Sequence, residues 1–429
     1  MRALVEVVDV ETVEGGCDEL LGFEINQPKT GSERSTYSLT LRGWVLGRQH
    51  PVGAVELVQG GDVLRSLAVA GKREDVAVAH PEVEGAGTSE FFATISSLAL
   101  EPSFELSVQA VLDGGSRVPI ATIRGLRGPV RSGFQPRLQP LMLTSTGRVG
   151  STVLMNALAA HPGIAAYPPF QHEPRVATYW MEVFKTLSDP ASYVRQLAPG
   201  GPLHDGWWLG SGEPMPRGIA NSELEQWIAA DAVETLAALC QGRIEALYEE
   251  IASRHSRPQA TYFAEKFRTD SVPGLMWEFY PDARELVLVR DFRDVACSIL
   301  ASSAKRKGVE QPSDPRVVLA DIKARAGAVA SAWLERSKRA HLVRYEDLIT
   351  EPAEVLEGVA TYLGLDAGTK VVDAMVAALS EEGTAAEFHR TTTEVGASIG
   401  RWRRDLDDDA QREFTAVLGP KLGTFGYVV

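Results

Sequence analysis

The stretch Pro140-Leu141-Met142-Leu143-Thr144-Ser145-Thr146-Gly147-Arg148-Val149-Gly150-Ser151-Thr152 decides how this chain is read. Pro140 to Thr146 reads as a buried strand, a short apolar run ended by a turn signal. Gly147 to Thr152 then make a tight loop, and Val153, Leu154, Ala157 and Leu158 follow at helical spacing until His161-Pro162-Gly163 ends the helix. In a strand, glycine loop and helix of this kind, backbone N–H groups and the positive helix end converge on an anion. Gly147 and Gly150 permit the turn, and the hydroxyls of Ser151 and Thr152 can donate to phosphate oxygens. Arg148 adds a permanent charge with a planar fork suited to phosphate or sulfate. The pattern departs from the kinase-type loop G-x-x-x-x-G-K-S/T, because Gly150 comes too soon and Ser151 stands where Lys would. A structural strand–turn–helix with an incidental arginine fits the same letters.

A second run, Ala283-Arg284-Glu285-Leu286-Val287-Leu288-Val289-Arg290-Asp291-Phe292-Arg293-Asp294-Val295-Ala296-Cys297-Ser298, repeats the arrangement. Leu286 to Val289 form a buried strand, and Arg290 stands at its carboxyl end, where open α/β sheets bind ligands. A helix starts near Asp294, whose acid suits an N-terminal turn. Ser298 then falls on the first turns, within reach of the same phosphate as Arg290. A surface Arg-Asp-x-Arg-Asp network is the competing reading. Both loops follow strands of one α/β domain, so both are expected at its ligand edge. Two anion sites on one edge suit a nucleotide with phosphates at both ends.

Before these loops the pattern is different. Short strand-like runs, among them Ser38–Val45, Ala54–Val58 and Leu106–Val111, are separated by the turn signals Gln59-Gly60-Gly61-Asp62 and Asp113-Gly114-Gly115. They predict an antiparallel β-sandwich over residues 1–131. Nothing there groups His, Cys or acids for catalysis, which leaves a structural or substrate-presenting module, or a carbohydrate-binding one. Gly125 to Pro136, rich in Gly and Pro and without periodicity, marks the boundary. From residue 138 to 429 strands alternate with long helical patterns, which predicts an α/β domain with a parallel sheet flanked by helices.

A chain of 429 residues accommodates two such domains, each with a real core. Its net charge of −14 argues against a general nucleic-acid binder. An anionic ligand therefore has to be held by particular arginines against an acidic background. No stretch approaches the roughly 20 apolar residues of a membrane span. Met1 to Glu11 carries acids within its apolar run and reads as a strand, not a signal peptide. Cys17, Cys240 and Cys297 are scattered, suggesting neither a disulfide framework nor a metal cluster, and a reducing cytoplasm is the default.

At the two loops the sequence resembles the sulfotransferase family that uses 3′-phosphoadenosine 5′-phosphosulfate (PAPS). That family's 5′-phosphosulfate loop looks like Arg148-Val149-Gly150-Ser151-Thr152, and its 3′-phosphate motif R-D-P-R-D-V-x-x-S is matched from Arg290 to Ser298, with Phe292 in place of Pro. Further segments are similar, in the family's order. They are Thr261 to Lys266, a strand ending in Lys; Tyr280 to Arg284; Arg344 to Leu348, a later strand; Tyr362 to Leu365; and His389-Arg390-Thr391 with Ser398 to Arg403, which look like the segment that closes over the cofactor. The resemblance covers residues 138 to 429 and implies a P-loop-like sulfotransferase domain. The sandwich lies outside it and resembles accessory modules of bacterial sugar-modifying enzymes.

The resemblance implies PAPS as donor and adenosine 3′,5′-bisphosphate as product, with the loop Gly147, Arg148, Val149, Gly150, Ser151 and Thr152 on the 5′ side. Arg290 and Ser298 would hold the 3′-phosphate. Arg148 and the loop amides would stabilise charge on the departing oxygen. An arginine there resembles the Golgi protein- and carbohydrate-modifying branches and many bacterial members. The acceptor hydroxyl needs a base. By analogy with the tyrosylprotein branch, Glu173 in Gln171-His172-Glu173-Pro174-Arg175 is the first choice and His172 the second, at a longer spacing than in that branch. Lys266 supports the leaving group, binds substrate, or pairs with an acid. Arg401 and Arg403 are candidates to reach the nucleotide, with Trp402 packed beneath it, against a structural role for each. Tyr179, Trp180, Trp207, Trp208 and Trp227 line an acceptor pocket or belong to the core. No metal is implied. The acceptor itself is expected to be a carbohydrate or a hydroxylated natural product. Two rivals stand beside this reading. One is an ATP-dependent small-molecule kinase, for which the P-loop Lys is missing and Asp291 is the only obvious magnesium ligand. The other is a non-catalytic glycan-binding protein with a degenerate transferase domain.

Overall fold

The computed structural model describes residues 2–13, 18–167, 174–188, 230–267, 274–305, 314–379 and 396–428. The chain divides into two compact units, Met1–Phe134 with Met181–Cys240, and Gln135–Trp180 with Gln241–Val429.

The first unit is built on strands β1 (Val5–Thr12), β2 (Leu20–Gln27), β3 (Glu33–Arg34), β4 (Ser38–Gly47), β5 (Val52–Gln59), β6 (Asp62–Ala68), β7 (Glu90–Ser96), β8 (Ser103–Leu112) and β9 (Arg117–Arg127). They form a sheet in the order β3-β1-β9-β8-β5-β6 and a second in the order β2-β4-β7, antiparallel throughout. Alternation along β8 shows why. Phe104, Leu106, Val108, Ala110 and Leu112 are buried, and Ser103 and Glu105, on either side of Phe104, are exposed. These residues join Leu41, Val55, Leu57, Phe91, Ile120 and Ile123 in one core. The β5–β6 turn uses Gly60 and Gly61 at φ of 60° and 94°, a left-handed pair that glycine adopts without steric cost.

The second unit carries five parallel strands, β10 (Gln139–Ser145), β11 (Ile164–Ala166), β12 (Tyr262–Phe267), β13 (Arg284–Val289) and β14 (Ala340–Arg344), in the order β11-β12-β10-β13-β14. Helices flank the sheet, among them Ser151–Ala160, Phe292–Lys305, Pro315–Arg336, Pro352–Leu363, Thr369–Ala378 and Asp408–Gly423. Strands β10 and β13 read as unbroken apolar runs because both of their faces are covered; Leu141, Met142, Leu143, Leu286, Val287 and Leu288 are all fully buried. The chain leaves β10 toward one edge of the sheet and leaves β13 toward the other. Neighbouring strands with diverging connections create a crevice at their carboxyl ends, the usual ligand position in open α/β sheets. Both arginine loops open there. One expected strand ends early: Arg344 closes β14, and Tyr345–Thr350 is already helical.

Candidate active site

Register places the two loops side by side, since Ser145 of β10 pairs with Leu288 of β13. After Ser145 the backbone turns through two left-handed residues, Arg148 at φ 69° and Gly150 at φ 88°, and the helix Ser151–Ala160 begins. Alternating conformations of this kind turn successive N–H groups into one concavity. Val149 is buried beneath the loop, so the residues on either side of it stay at the surface of the crevice. Gly150 has a packing reason as well: a Cβ there would lie 2.4 Å from Cδ2 of Tyr345.

The side chains of the two loops meet. Arg148 Nε donates to Ser298 Oγ at 3.2 Å. Arg290 donates through one terminal nitrogen to the Arg148 carbonyl at 3.3 Å and through the other to the Ser398 carbonyl at 2.5 Å. Its guanidinium lies 4.7 Å from the centroid of the Tyr345 ring, whose hydroxyl shares a hydrogen bond of 3.1 Å with Ser398 Oγ. On the other side of the loop, Lys266 Nζ donates to Thr152 Oγ1 at 2.9 Å. Thus Arg148, Thr152, Lys266, Arg290 and Ser298, which are scattered along the sequence, converge on one crevice.

The remaining candidates are placed differently. The Arg401 guanidinium pairs with Asp405 at 2.5 Å, and Arg403 lies over the Trp402 ring at 4.4 Å. Trp402 is buried with the hydrophobic core, with Arg293 3.9 Å from its ring centroid. Tyr179 and Trp180 touch edge to face at 5.6 Å on the helix Val176–Ser188, and Tyr179 is exposed. His172, Glu173, Trp207, Trp208, Trp227 and His389 to Thr391 lie outside the described residues. The Arg-Asp-x-Arg-Asp run is buried; it is not a surface network. Asp291 holds the Arg293 guanidinium at 3.0 and 2.8 Å, and Asp294 accepts from the backbone of Gly400 and Trp402. Sequence reasoning assigned no individual role to Tyr345, and named Ser398 only as the start of the segment expected to close over the cofactor. The signal for Tyr345 was the Arg344-Tyr345-Glu346-Asp347-Leu348 run; Ser398 acts through its carbonyl, which no side-chain pattern reveals.

Lys266 stands beside the buried Glu265 on β12, and alternation sends the two side chains to opposite faces of the sheet. Glu265 Oε1 accepts from the Tyr248 hydroxyl at 2.5 Å and from the Ala177 amide at 2.8 Å. Burial pushes its carboxyl up to about 7, although these donors favour the anion.

These residues fit a phosphorylated nucleotide. Arg290 Nε is buried with no hydrogen-bond partner among the described residues, and an unmatched buried donor invites an acceptor. Beside it are a second guanidinium, the Ser151, Thr152 and Ser298 hydroxyls, and a helix N-terminus.

Comparison with known proteins identifies the family. Residues 140–370, more than half of the chain, match the model of the sulfotransferase family. No curated protein matches the chain. Among solved structures, the sulfotransferase domain of the Synechococcus PCC 7002 olefin synthase is 19% identical, with 69% of this chain and 97% of that one covered, at a TM-score of 0.39. The sulfotransferase domain of the curacin biosynthetic pathway is 17% identical over 66% of this chain and 99% of that one, at 0.37. A Mycobacterium avium sulfotransferase is 13% identical over 69% and 79%, at 0.36. By the family match, the chain belongs to the sulfotransferase family, enzymes whose sulfuryl donor is PAPS.

Proposed function

We propose that the protein transfers the sulfuryl group of PAPS to a hydroxyl of a carbohydrate or of a hydroxylated natural product. The observation that carries this reading is the meeting of the two loops, with Arg148 on Ser298 and Arg290 on the Arg148 carbonyl. When bound, PAPS supplies the sulfuryl group together with a bisphosphate leaving group. Gly147, Arg148, Val149, Gly150, Ser151 and Thr152 would hold the 5′ side. There Arg148 and the loop amides would face the oxygen on which negative charge develops, and their attraction would strengthen as the transition state forms. Lys266, tied to Thr152, keeps a second positive charge behind the loop. Arg290 and Ser298 would take the 3′-phosphate. A hydroxyl accepts and donates at once, so Ser298 can keep its bond from Arg148 while donating to phosphate. Glu173 is our candidate to take the acceptor proton, with His172 as the second. Arg401 and Arg403 would approach the nucleotide from the C-terminal segment, and Trp402 would support it from below.

The carbohydrate or natural-product assignment rests on the β-sheet unit and on the aromatic residues after position 178. No helix among the described residues is long and apolar enough to cross a membrane. We place the reaction in the cytoplasm, a compartment in keeping with the unbridged, buried Cys240 and Cys297.

Calorimetry tests donor recognition. Adenosine 3′,5′-bisphosphate should bind at least about tenfold more tightly than ADP, since ADP leaves Arg290 and Ser298 without their phosphate. Equal affinities would remove that assignment. Labelled PAPS offered with panels of sugars, phenols and lipids then identifies the acceptor class, and transfer to a lipid alone would overturn the proposed one.

A further inference from the structure

We propose that Asp294 is a positioning residue that latches the segment Gly396–Asp405 over the carboxyl end of β13, so that the Ser398 carbonyl fixes the Arg290 guanidinium for a 3′-phosphate. The proposal rests on the nucleotide reading above and adds to it the device that orients Arg290.

Asp294 is completely buried on the first turn of the helix Phe292–Lys305. Both of its oxygens are committed to a single distant segment: Oδ2 accepts from the Gly400 amide at 2.7 Å and Oδ1 from the Trp402 amide at 2.9 Å. Two converging N–H groups call for a carboxylate, because an amide of the same shape offers only one acceptor. The same segment carries Ser398. Its carbonyl accepts from Arg290 at 2.5 Å, and its hydroxyl bonds to Tyr345, the ring on which Arg290 stacks. Arg290 is thus held on one side by the phosphate-loop carbonyl of Arg148 and on the other by a carbonyl that depends on Asp294. The clamp has a second grip on the segment, through Arg293, which is braced by Asp291 and lies against the Trp402 ring.

A buried carboxylate is a costly way to fill space. Burial raises the Asp294 carboxyl to about 6, with the Arg290 charge opposing the rise and the Asp291 charge adding to it. Retaining the charge in that position yields two charge-assisted bonds to a distant chain segment.

The test uses the full-length protein. In the ligand-free Asp294→Asn variant, peptides spanning 396–405 should exchange amide hydrogens about tenfold faster than in wild type, the loss of roughly one charge-assisted bond, while β13 stays protected. Affinity for adenosine 3′,5′-bisphosphate should fall by about the same factor, and affinity for adenosine 5′-phosphosulfate, which has no 3′-phosphate, should not change. Wild-type exchange together with wild-type affinity for the bisphosphate would overturn the latch. If wild type itself does not prefer the bisphosphate, the nucleotide reading fails, and the exchange result still decides the latch. Should the variant not fold, wild-type exchange measured between about pH 7.5 and 5.5 and corrected for intrinsic rates replaces it. The groups facing Asp294 are Arg290, Asp291 and Cys297 from its own stretch, with Arg401 and Asp405 beside Cys297 from the latched segment. Because the latched state holds the Asp294 proton more tightly than an exposed carboxyl does, protection of the 396–405 peptides should rise as pH falls through about 6, and constant protection over that range would refute the proposal.

Discussion

Arg148 occupies a left-handed backbone, φ 69°, which costs an L-residue roughly 1–2 kcal/mol relative to its relaxed form. Glycine would adopt that conformation freely, so the side chain, not the turn, is the reason for an arginine here. Strain retained at a crevice accords with a functional role for the residue that bears it. Two substitutions separate the contributions. Arg148→Ala should lower sulfate transfer by about 10²–10³, the cost of removing one preorganised donor, with the fold intact by circular dichroism. Arg148→Gly should be equally inactive yet about 1 kcal/mol more stable than Arg148→Ala in urea unfolding. Unchanged turnover in either variant would remove Arg148 from its proposed role.

At the level of elements, the phosphate loop is fitted to the helix Tyr345–Thr350 through Gly150. An alanine there combines a left-handed φ of 88° with a contact of 2.4 Å to the Tyr345 ring. Gly150→Ala should therefore cost about 2–4 kcal/mol and displace Tyr345 from beneath Arg290, weakening adenosine 3′,5′-bisphosphate binding as well. Wild-type affinity in that variant would show that the loop and Tyr345 are not coupled. A second joint ties β12 to the helix Val176–Ser188, where Glu265 receives the amide of Ala177. Its folded value of about 7 lies above the ordinary 4.5, so the folded state holds this proton more tightly. The resulting stability is complete below the unfolded value and disappears as pH rises through the folded one. Glu265→Gln keeps the acceptor oxygen for these donors and removes the titration. Its melting temperature should fall less than that of wild type between about pH 5 and pH 8, and parallel profiles would assign the loss to other groups.

For the molecule as a whole, we propose that the domain boundary lies between residues 131 and 138. Within the first unit, Glu234 accepts from the Tyr37 hydroxyl at 2.5 Å and from Arg2 at 3.2 Å. A fragment of residues 138–429 keeps Glu234 without either donor. The first turns of its helix Ala232–Arg254 should exchange faster than in the full chain; equal protection would make 138–429 self-sufficient. The legible parts of this protein were those set by local rules. Alternation along β8, the glycine turn at Gly60 and Gly61, the apolar runs of β10 and β13 and the loop from Gly147 to Thr152 each follow from neighbouring residues, and so the sandwich, the parallel sheet and Arg148 and Arg290 could be read in advance. Pairing of distant segments could not. Hydrogen bonds of Lys266 to Thr152 and of Asp294 to Gly400 and Trp402, and the Ser398 carbonyl on Arg290, join residues about a hundred positions apart. Three of those four hydrogen bonds use backbone atoms, which every residue carries and no sequence pattern marks. The sequence by itself determined which cationic and hydroxyl side chains stand on the two loops. Only the tertiary structure, by setting β10 against β13 where their connections diverge, decided which of these groups touch and which distant backbone atoms they bond.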